Sequence, residues 1–422
     1  MNINEAFQLA AKYYQEGNLQ QAEYIYREIL QFQPNAAEGH YFLGIILQDK
    51  GQIDDAIICY QEAISMNPND AEAHSNLGQL LQRKGQVDEA MVCYQKAIDI
   101  DPNLAGAHFN KALTLLLSGN FQQGWKEFEW RWKSEVFCSY NSCKRNFLQP
   151  LWDGSDINER TILLHAEQGF GDTIQFIRYA QLVRERGAKV ILECQKELSS
   201  LLQNVDGIHR VVARGEKLPE FDLHCPLLSL PLFFDTTFKN IPARIPYVYV
   251  DNILIQNWKD KIQYDNSKLK LGLVWSGRLT HEQDHRFRSC SLDILSPLGQ
   301  LNNITFYSLQ KGEGARQAKY PPEGMRFFDY TDNIDNFSDT AAFIMNLDLI
   351  ISVDTAVAHL AGALGKRVWI LLPFVPDWRW LLNREDSPWY PTMRLFRQPS
   401  LGDWESVIAK VKNELQKLLD EK

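Results

Sequence analysis

The sequence predicts a chain of two architectures: an all-helical repeat solenoid first, then an α/β region of two parallel-sheet lobes facing a cleft. Three observations carry this. Gly17, Gly51, Gly85 and Gly119 lie 34 residues apart, a period that belongs to stacked helical hairpins. From Arg160 onward strands and helices alternate, as a parallel sheet requires. Near the end, Leu347 to Arg367 (LDLIISVDTAVAHLAGALGKR) runs from a buried-strand composition straight into a helix, which is how α/β folds build ligand crevices.

Composition narrows the class. With 422 residues the chain exceeds one core and suits two or three domains. Its 45% hydrophobic and 23% charged residues are those of a soluble globular protein. A net charge of −9 with a pI near 5.6 argues against a general nucleic-acid or acidic-membrane binder. No unbroken apolar run is long enough to span a bilayer, and MNINEAFQLAAKYYQEGN lacks the layout of a signal peptide, so a cytoplasmic protein without a transmembrane segment is expected. Of seven cysteines only Cys138 and Cys143 lie close together, and no second pair completes a zinc set. Reduced thiols and no metal are expected.

In the repeat region (1–133), small residues follow the glycines by five positions (Ala22, Ala56, Ala90, Gly124), where two helices must close on each other. Aromatic rings follow by nine (Tyr26, Tyr60, Tyr94, Phe128), and Pro34, Pro68 and Pro102 punctuate the ends. This is the tetratricopeptide pattern, in three full units and an altered fourth from about Asn4 to Lys133. Such units cannot bury their apolar faces alone and stack into a curved solenoid. On its concave face Asn76 and Asn110 occupy equivalent positions, as do His40, His74 and His108. An asparagine ladder can grip a peptide backbone, because the amide both donates and accepts; the alternative is polar solvation or packing between repeats. The histidines, roughly 10 Å apart, suit no metal. In the fourth unit Trp125, Phe128, Trp130 and Trp132 crowd one short helix, which predicts an end sealed against another domain. Residues 134–158 then form a covering junction, rigid over Lys133 to Trp152.

The first α/β lobe (159–255) reads as strand Thr161–Ala166, loop Glu167–Gly171 and helix Thr173–Arg186 closed by Gly187. Strand Lys189–Cys194, a helix through Leu202, and strands Val211–Ala213, Asp222–Pro226 and Arg244–Val250 follow. The loop AEQGFGD places Glu167, Gln168, Gly169 and Gly171 at a strand end, and Glu193 stands 22 residues beyond Gly171. That resembles a dinucleotide fingerprint, but Ile174 replaces its third glycine. Asp172, at a helix start facing the crevice, can take a proton from an acceptor hydroxyl; alternatively Asp172 and Gln175 are a capping box that begins the helix. Glu167 is the second candidate base.

The polar stretch Asp251–Lys268 bridges to the second lobe (266–402). Its strands are Leu269–Trp275, Thr305–Leu309, Met325–Phe328, Leu347–Val353 and Arg367–Leu372, with helices from Leu292 and around Asp339–Met345. Asp354 and Thr355 end the fourth strand and Ala356–Leu364 is helical, so free N–H groups and the positive end of the helix dipole meet the crevice. A phosphorylated ligand suits this place. Asp354 can accept from a ribose or sugar hydroxyl, Thr355 can donate to a phosphate, and His359 lies one turn in; the alternative is that Asp354 and Thr355 only cap the helix. The loop Arg278–Ser289 holds Arg278, His281, His285, Arg286 and Arg288, and arginine forks suit a diphosphate, unless they are solvated surface charge. Gln310 and Lys311 end the second strand, Pro373, Pro376, Asp377 and Trp378 form a rigid loop over the crevice, and residues 403–422 are an amphipathic helix.

SVDTAVAHLAGALG resembles the donor-site signature of the heptosyltransferase family (glycosyltransferase family 9-like), and AEQGFGD resembles its first acceptor-lobe loop. The resemblance covers roughly Phe147 to the end. With the repeats and the segments GWKEFEWRW, WSGR, PDWRW and SPWYPTMRLFRQ, the chain is similar to bacterial tetratricopeptide proteins that carry such a domain. The resemblance implies a GT-B fold and a glycosyltransferase without a cofactor, using a nucleotide sugar as donor. It makes Asp172 the base, and Asp354, Thr355, Ala356 and His359 the residues that hold the sugar nucleotide. It sets Arg286 and Arg288, in a loop longer than the family's, near the diphosphate, and Gln310 and Lys311 near the base or ribose. Heptosyltransferases lack the repeats, so the acceptor can be a glycan of lipopolysaccharide type or a protein or peptide docked on them, as in the O-linked N-acetylglucosamine transferases, whose histidine base motif is absent. An inverting, metal-independent transfer is expected, and no D-x-D stands beside a strand. Two rivals remain: a non-catalytic interaction scaffold with a degenerate transferase domain, and a nicotinamide-dependent enzyme using Gly169, Gly171 and Glu193.

Overall fold

The computed structural model describes residues 2–134, 137–138, 145–262, 266–277 and 288–421. The chain divides into two compact units, Met1–Tyr140 and Asn141–Lys422.

The first unit contains the helices α1 (Ile3–Gln15), α2 (Leu19–Phe32), α3 (Ala37–Asp49), α4 (Ile53–Met66), α5 (Ala71–Arg83), α6 (Val87–Ile100), α7 (Ala105–Leu117) and α8 (Phe121–Phe128). They pack as successive hairpins, α1 on α2 through α7 on α8. The four glycines of the 34-residue period sit between the helices of each pair with φ between +75° and +81°, which an L side chain rarely adopts. Within the hairpins a Cβ on Gly44 or Gly78 would lie 2.7 or 2.8 Å from the rings of Tyr60 and Tyr94, so the small residue and the aromatic one answer each other. The equivalent histidines brace the repeat starts. His40, His74 and His108 each bond a prolyl carbonyl six residues earlier, Pro34 at 2.8 Å, Pro68 at 3.2 Å and Pro102 at 3.1 Å.

Aromatic residues of the fourth repeat pack on one another inside the first unit. Trp125 and Phe128 are buried against Phe121 and Phe109, Phe137 closes on Phe109 and Trp132, and Trp130 stacks on His108 with ring centres 3.9 Å apart. Of the junction expected over Lys133–Trp152, residues 135–136 and 139–144 lie outside the described residues, and Cys143 with them.

The second unit holds two parallel sheets. The first comprises β1 (Thr161–His165), β2 (Lys189–Cys194), β3 (Ile208–Ala213) and β4 (Leu223–Pro226) in the order β3-β2-β1-β4. The second comprises β5 (Leu269–Val274), β6 (Ile304–Ser308), β7 (Phe327–Asp329), β8 (Leu349–Val353), β9 (Val368–Leu372) and β10 (Met393–Arg397) in the order β10-β9-β8-β5-β6-β7. In both, the chain builds outward on one side and then returns to the other. The strand order therefore reverses between β1 and β4 and between β5 and β8, and the crevice opens at the carboxyl ends of such pairs. The inner strands β5, β6, β8 and β9 of the six-stranded sheet are buried along almost their whole length, as parallel strands covered on both faces are. The Trp404–Glu421 helix lays Val407, Ile408, Val411 and Leu415 into the core that contains Leu271, Phe306, Ile351 and Trp369.

Four elements differ from expectation. The helix after β1 begins at Phe170 instead of Thr173 and runs as three short pieces, Phe170–Phe176, a 3-10 turn Ile177–Tyr179, and Ala180–Glu185. Arg244–Val250 is not a strand: Pro246 has no N–H for a ladder, and the N–H groups of Tyr247 and Val248 both donate to the Ala363 carbonyl. The polar bridge contains a helix, Asn252–Lys261, held by buried Trp258 stacked 4.5 Å from Phe343. Finally, β10 is an additional strand.

Candidate functional site

The site begins where two helices meet. In the first lobe Gly169 precedes the Phe170–Phe176 helix, so Asp172 stands in its first turn and its Oδ2 accepts the Gly169 N–H at 2.9 Å. Asp172 thus closes the helix start from the third helical position, not from the cap position that its spacing to Gln175 predicts. In the second lobe β8 runs into the Ala356–Ala363 helix. Thr355 has extended backbone, but its hydroxyl turns to Ser352 Oγ at 3.0 Å and caps nothing. The first N–H groups of such a helix have no partner within it.

A Cβ on Gly171 would stand 2.8 Å from His359 Cδ2 and 3.6 Å from the Ala356 Cα. The two helix starts are therefore in contact, and only a residue without a side chain fits between them. Gly171→Ala is expected to push them apart, at a cost of about 2 kcal/mol, lowering the thermal midpoint and weakening any ligand held at the junction; an unchanged midpoint would show that the contact is slack.

Around this junction the side chains form one connected group. His359 is buried, with Nδ1 3.0 Å from the Tyr390 hydroxyl, Nε2 3.7 Å from Asp354 Oδ1, and its ring stacked on Trp380 at 5.3 Å. Burial by itself would push the Asp354 carboxyl up, but His359, Arg288 and Trp380 outweigh it and hold that group down at about 2. Asp354 is an anion at neutral pH. Arg288 lies against Gly277, where a Cβ would come within 3.1 Å of its Nε, and that buried Nε has no hydrogen-bond partner among the described residues. The indole N–H of Trp380 is likewise buried, and the Asp354 carboxylate is the group it favours, without a full hydrogen bond between them.

Arg379 ties the two lobes together. It sits in the turn after β9, almost fully buried and stacked 4.2 Å over Trp378. Its Nε donates to Gln175 Oε1 at 2.9 Å, Nη1 to Asp377 Oδ1 at 2.8 Å, and Nη2 to Asp172 Oδ1. Nearby, buried Arg178 donates to the carbonyls of Gln175 (2.7 Å), Trp389 (2.6 Å) and Pro242 (3.3 Å) and to the Tyr247 hydroxyl (2.9 Å), bolting the same first-lobe helix to the second lobe.

Other expected residues stand elsewhere or are engaged. Glu167 is buried and its Oε1 accepts the Leu228 N–H at 3.2 Å, joining the ends of β1 and β4. The Gln168 carbonyl accepts from Gln195 at 2.8 Å. Gln310 clamps the end of β5: Oε1 accepts from the N–H groups of Trp275 and Ser276 at 3.1 and 2.8 Å, and Nε2 donates to the carbonyls of Ser276 and Lys311. The Lys311 ammonium donates to the carbonyls of Thr331 and Ile334. Both residues therefore serve the protein's own backbone in this structure. Glu193 is buried, with Oε1 in an ion pair with Arg145 at 2.6 Å and Oε2 without a hydrogen-bond partner among the described residues. In the repeats Asn76 donates to the Tyr41 hydroxyl at 3.4 Å and Asn110 is half-buried without that bond. Arg278, His281, His285 and Arg286 lie outside the described residues. Sequence reasoning missed Arg379, Gln175, Trp380 and Tyr390; an arginine between two tryptophans in PDWRW was the available signal.

Family profiles match within the first unit. Those described as TPR repeat and tetratricopeptide repeat match residues 44–85, 71–104 and 93–126. These residues are tetratricopeptide repeats. Protein FlbA of Caulobacter vibrioides is 24% identical over 332 residues, covering 72% of this chain and 54% of its own length. The chain therefore spans about half the length of that curated relative. Among solved structures, MamA is 25% identical over 33% of this chain and 81% of its own, with a TM-score of 0.30. PilF of Pseudomonas aeruginosa is 24% identical over 33% and 62%, with a TM-score of 0.29. Among the described residues no helix is long and apolar enough to cross a membrane.

Proposed function

We propose that the second unit is an inverting, metal-independent glycosyltransferase of GT-B type. It moves a sugar from a nucleotide sugar to a hydroxyl of a glycan or of a protein or peptide brought by the repeats. The observation that carries this reading is the contact of Gly171 with His359, which brings Asp172 from one lobe and Asp354, His359 and the Ala356–Ala363 helix start from the other to one crevice. In the proposed reaction Asp172 takes the proton of the acceptor hydroxyl as its oxygen bonds the anomeric carbon. The bond from that carbon to the diphosphate breaks on the opposite face, and the electron pair leaves with the phosphate oxygen. The free N–H groups of the Ala356–Ala363 helix and the guanidinium of Arg288 oppose the charge that develops there, and Asp354 holds a hydroxyl of the donor.

The scaffold reading has one observation in its favour, since both carboxylate oxygens of Asp172 already accept hydrogen bonds. Calorimetric titration with a panel of nucleoside diphosphates separates the two. Saturable binding of one of them, weakened about tenfold or more in Asp354→Ala, is the expected result and names the base of the donor. No binding by any member of the panel would favour the scaffold.

A further inference from the structure

Arg379 has a position that the proposed chemistry does not yet use. Its guanidinium is the point where carboxylates of both lobes converge, with Asp172 and Asp377 bonded to it and Asp354 within electrostatic reach. The junction's described bases beside those three acids are Arg288, Arg379, Arg178 and His359, and of these Arg379 is bonded to two of the acids. A diphosphate brings at least one further negative charge to this group, and a cation with donors to spare is what meets a buried charge.

Arg379 is able to do so. It offers five N–H donors, of which Asp172, Asp377 and Gln175 take three, and its planar fork matches phosphate oxygens as well as carboxylates. Gln175 and the Trp378 ring fix the guanidinium plane from two sides, and the bonds to Asp172 and Asp377 each use one N–H of a different terminal nitrogen, so one N–H remains on each. Asp172 has by contrast only the Gly169 N–H to fall back on.

We infer that Arg379 is a shared cation, held by Asp172 while the cleft is empty and claimed by the donor's diphosphate when it is filled. Resting on the transferase reading above, this makes Arg379 the positioning residue that couples the two half-sites. Donor entry draws the guanidinium away from Asp172, and a carboxylate relieved of an adjacent positive charge is the stronger base. The base is then competent only when there is a sugar to transfer. The proton still passes from the acceptor hydroxyl to Asp172, and the charge leaving with the diphosphate meets Arg379.

The test is a titration of the whole protein with whichever nucleoside diphosphate binds it, in wild type, Arg379→Gln, Arg379→Lys, Asp172→Asn and the double variant Asp172→Asn/Arg379→Gln. Arg379→Gln is expected to weaken binding at least tenfold and Arg379→Lys to restore part of the loss. Asp172→Asn, which takes the negative charge from the competitor for the guanidinium, is expected to tighten binding roughly fivefold, and in the double variant this gain disappears. If Arg379 merely holds the lobes together, Asp172→Asn weakens binding as well, and that sign overturns the inference. Unchanged affinity in Arg379→Gln overturns it too, leaving the transferase reading intact. Absence of binding in the wild type removes both.

Discussion

Arg178→Leu is expected to destabilise the α/β unit by about 4 kcal/mol, read as a fall in the midpoint of urea or thermal unfolding. The guanidinium is buried with no carboxylate among its described partners. It donates instead to three carbonyls and a phenol, and its plane lies 4.6 Å over Tyr247 and 4.5 Å over Tyr390. Leucine fills part of the space but leaves those carbonyls without a donor in a place that water does not reach, and each such orphan costs about 1–3 kcal/mol. Because Trp389 and Pro242 belong to segments far apart in sequence, the loss falls on the junction of the lobes. A change below about 1 kcal/mol would mean that other contacts already fix their approach.

Asp172→Asn is expected to lower the turnover of sugar transfer by about a thousandfold, the range of a general base, equivalent to about 4 kcal/mol of barrier. The amide keeps the shape, but its single oxygen can replace only one of the two carboxylate oxygens that accept from Arg379 and from Gly169, and it cannot accept the acceptor's proton. Glu167→Gln serves as the control, since that carboxylate is turned to the Leu228 N–H and its replacement should leave turnover within a few-fold. Rates would be compared on the donor identified by the titration. If Asp172→Asn retains turnover within tenfold of wild type, the proton goes elsewhere.

What could be read from the residues alone follows from how locally each feature is encoded. The solenoid was legible because each hairpin repeats the same demands, a glycine at positive φ between its helices and an aromatic ring nine residues after it, which in two of them faces a second glycine. The buried strands β5, β8 and β9 announce themselves as aliphatic runs that end at a polar or glycine-containing turn. Arg244–Val250 misled because its β-branched and aromatic composition suits a strand, while its N–H groups answer a helix carbonyl that only the folded chain places there. The Asn252–Lys261 helix is too polar to show an apolar stripe, as Trp258 alone is buried from it. β10 was hidden by its arginines, whose half-buried stems flank Leu395 and Phe396. At the site, Asp172, Asp354 and His359 stand at strand-to-helix turns that sequence can locate. Arg379 and Tyr390 reach their partners only through tertiary contacts, and spacing carries no record of those.

The order β10-β9-β8-β5-β6-β7 also sets a timetable for synthesis. Each solenoid helix packs mainly on its neighbours in sequence, so the repeats can fold as they leave the ribosome, one hairpin after another. β5 cannot do the same. It pairs with β6 on one side, but its other edge waits for β8, which ends at Val353. Pairings this distant are slow to form, and an apolar edge left open invites other chains. The apolar edge of β5 therefore stands open from the time that strand emerges until residue 353 has followed it.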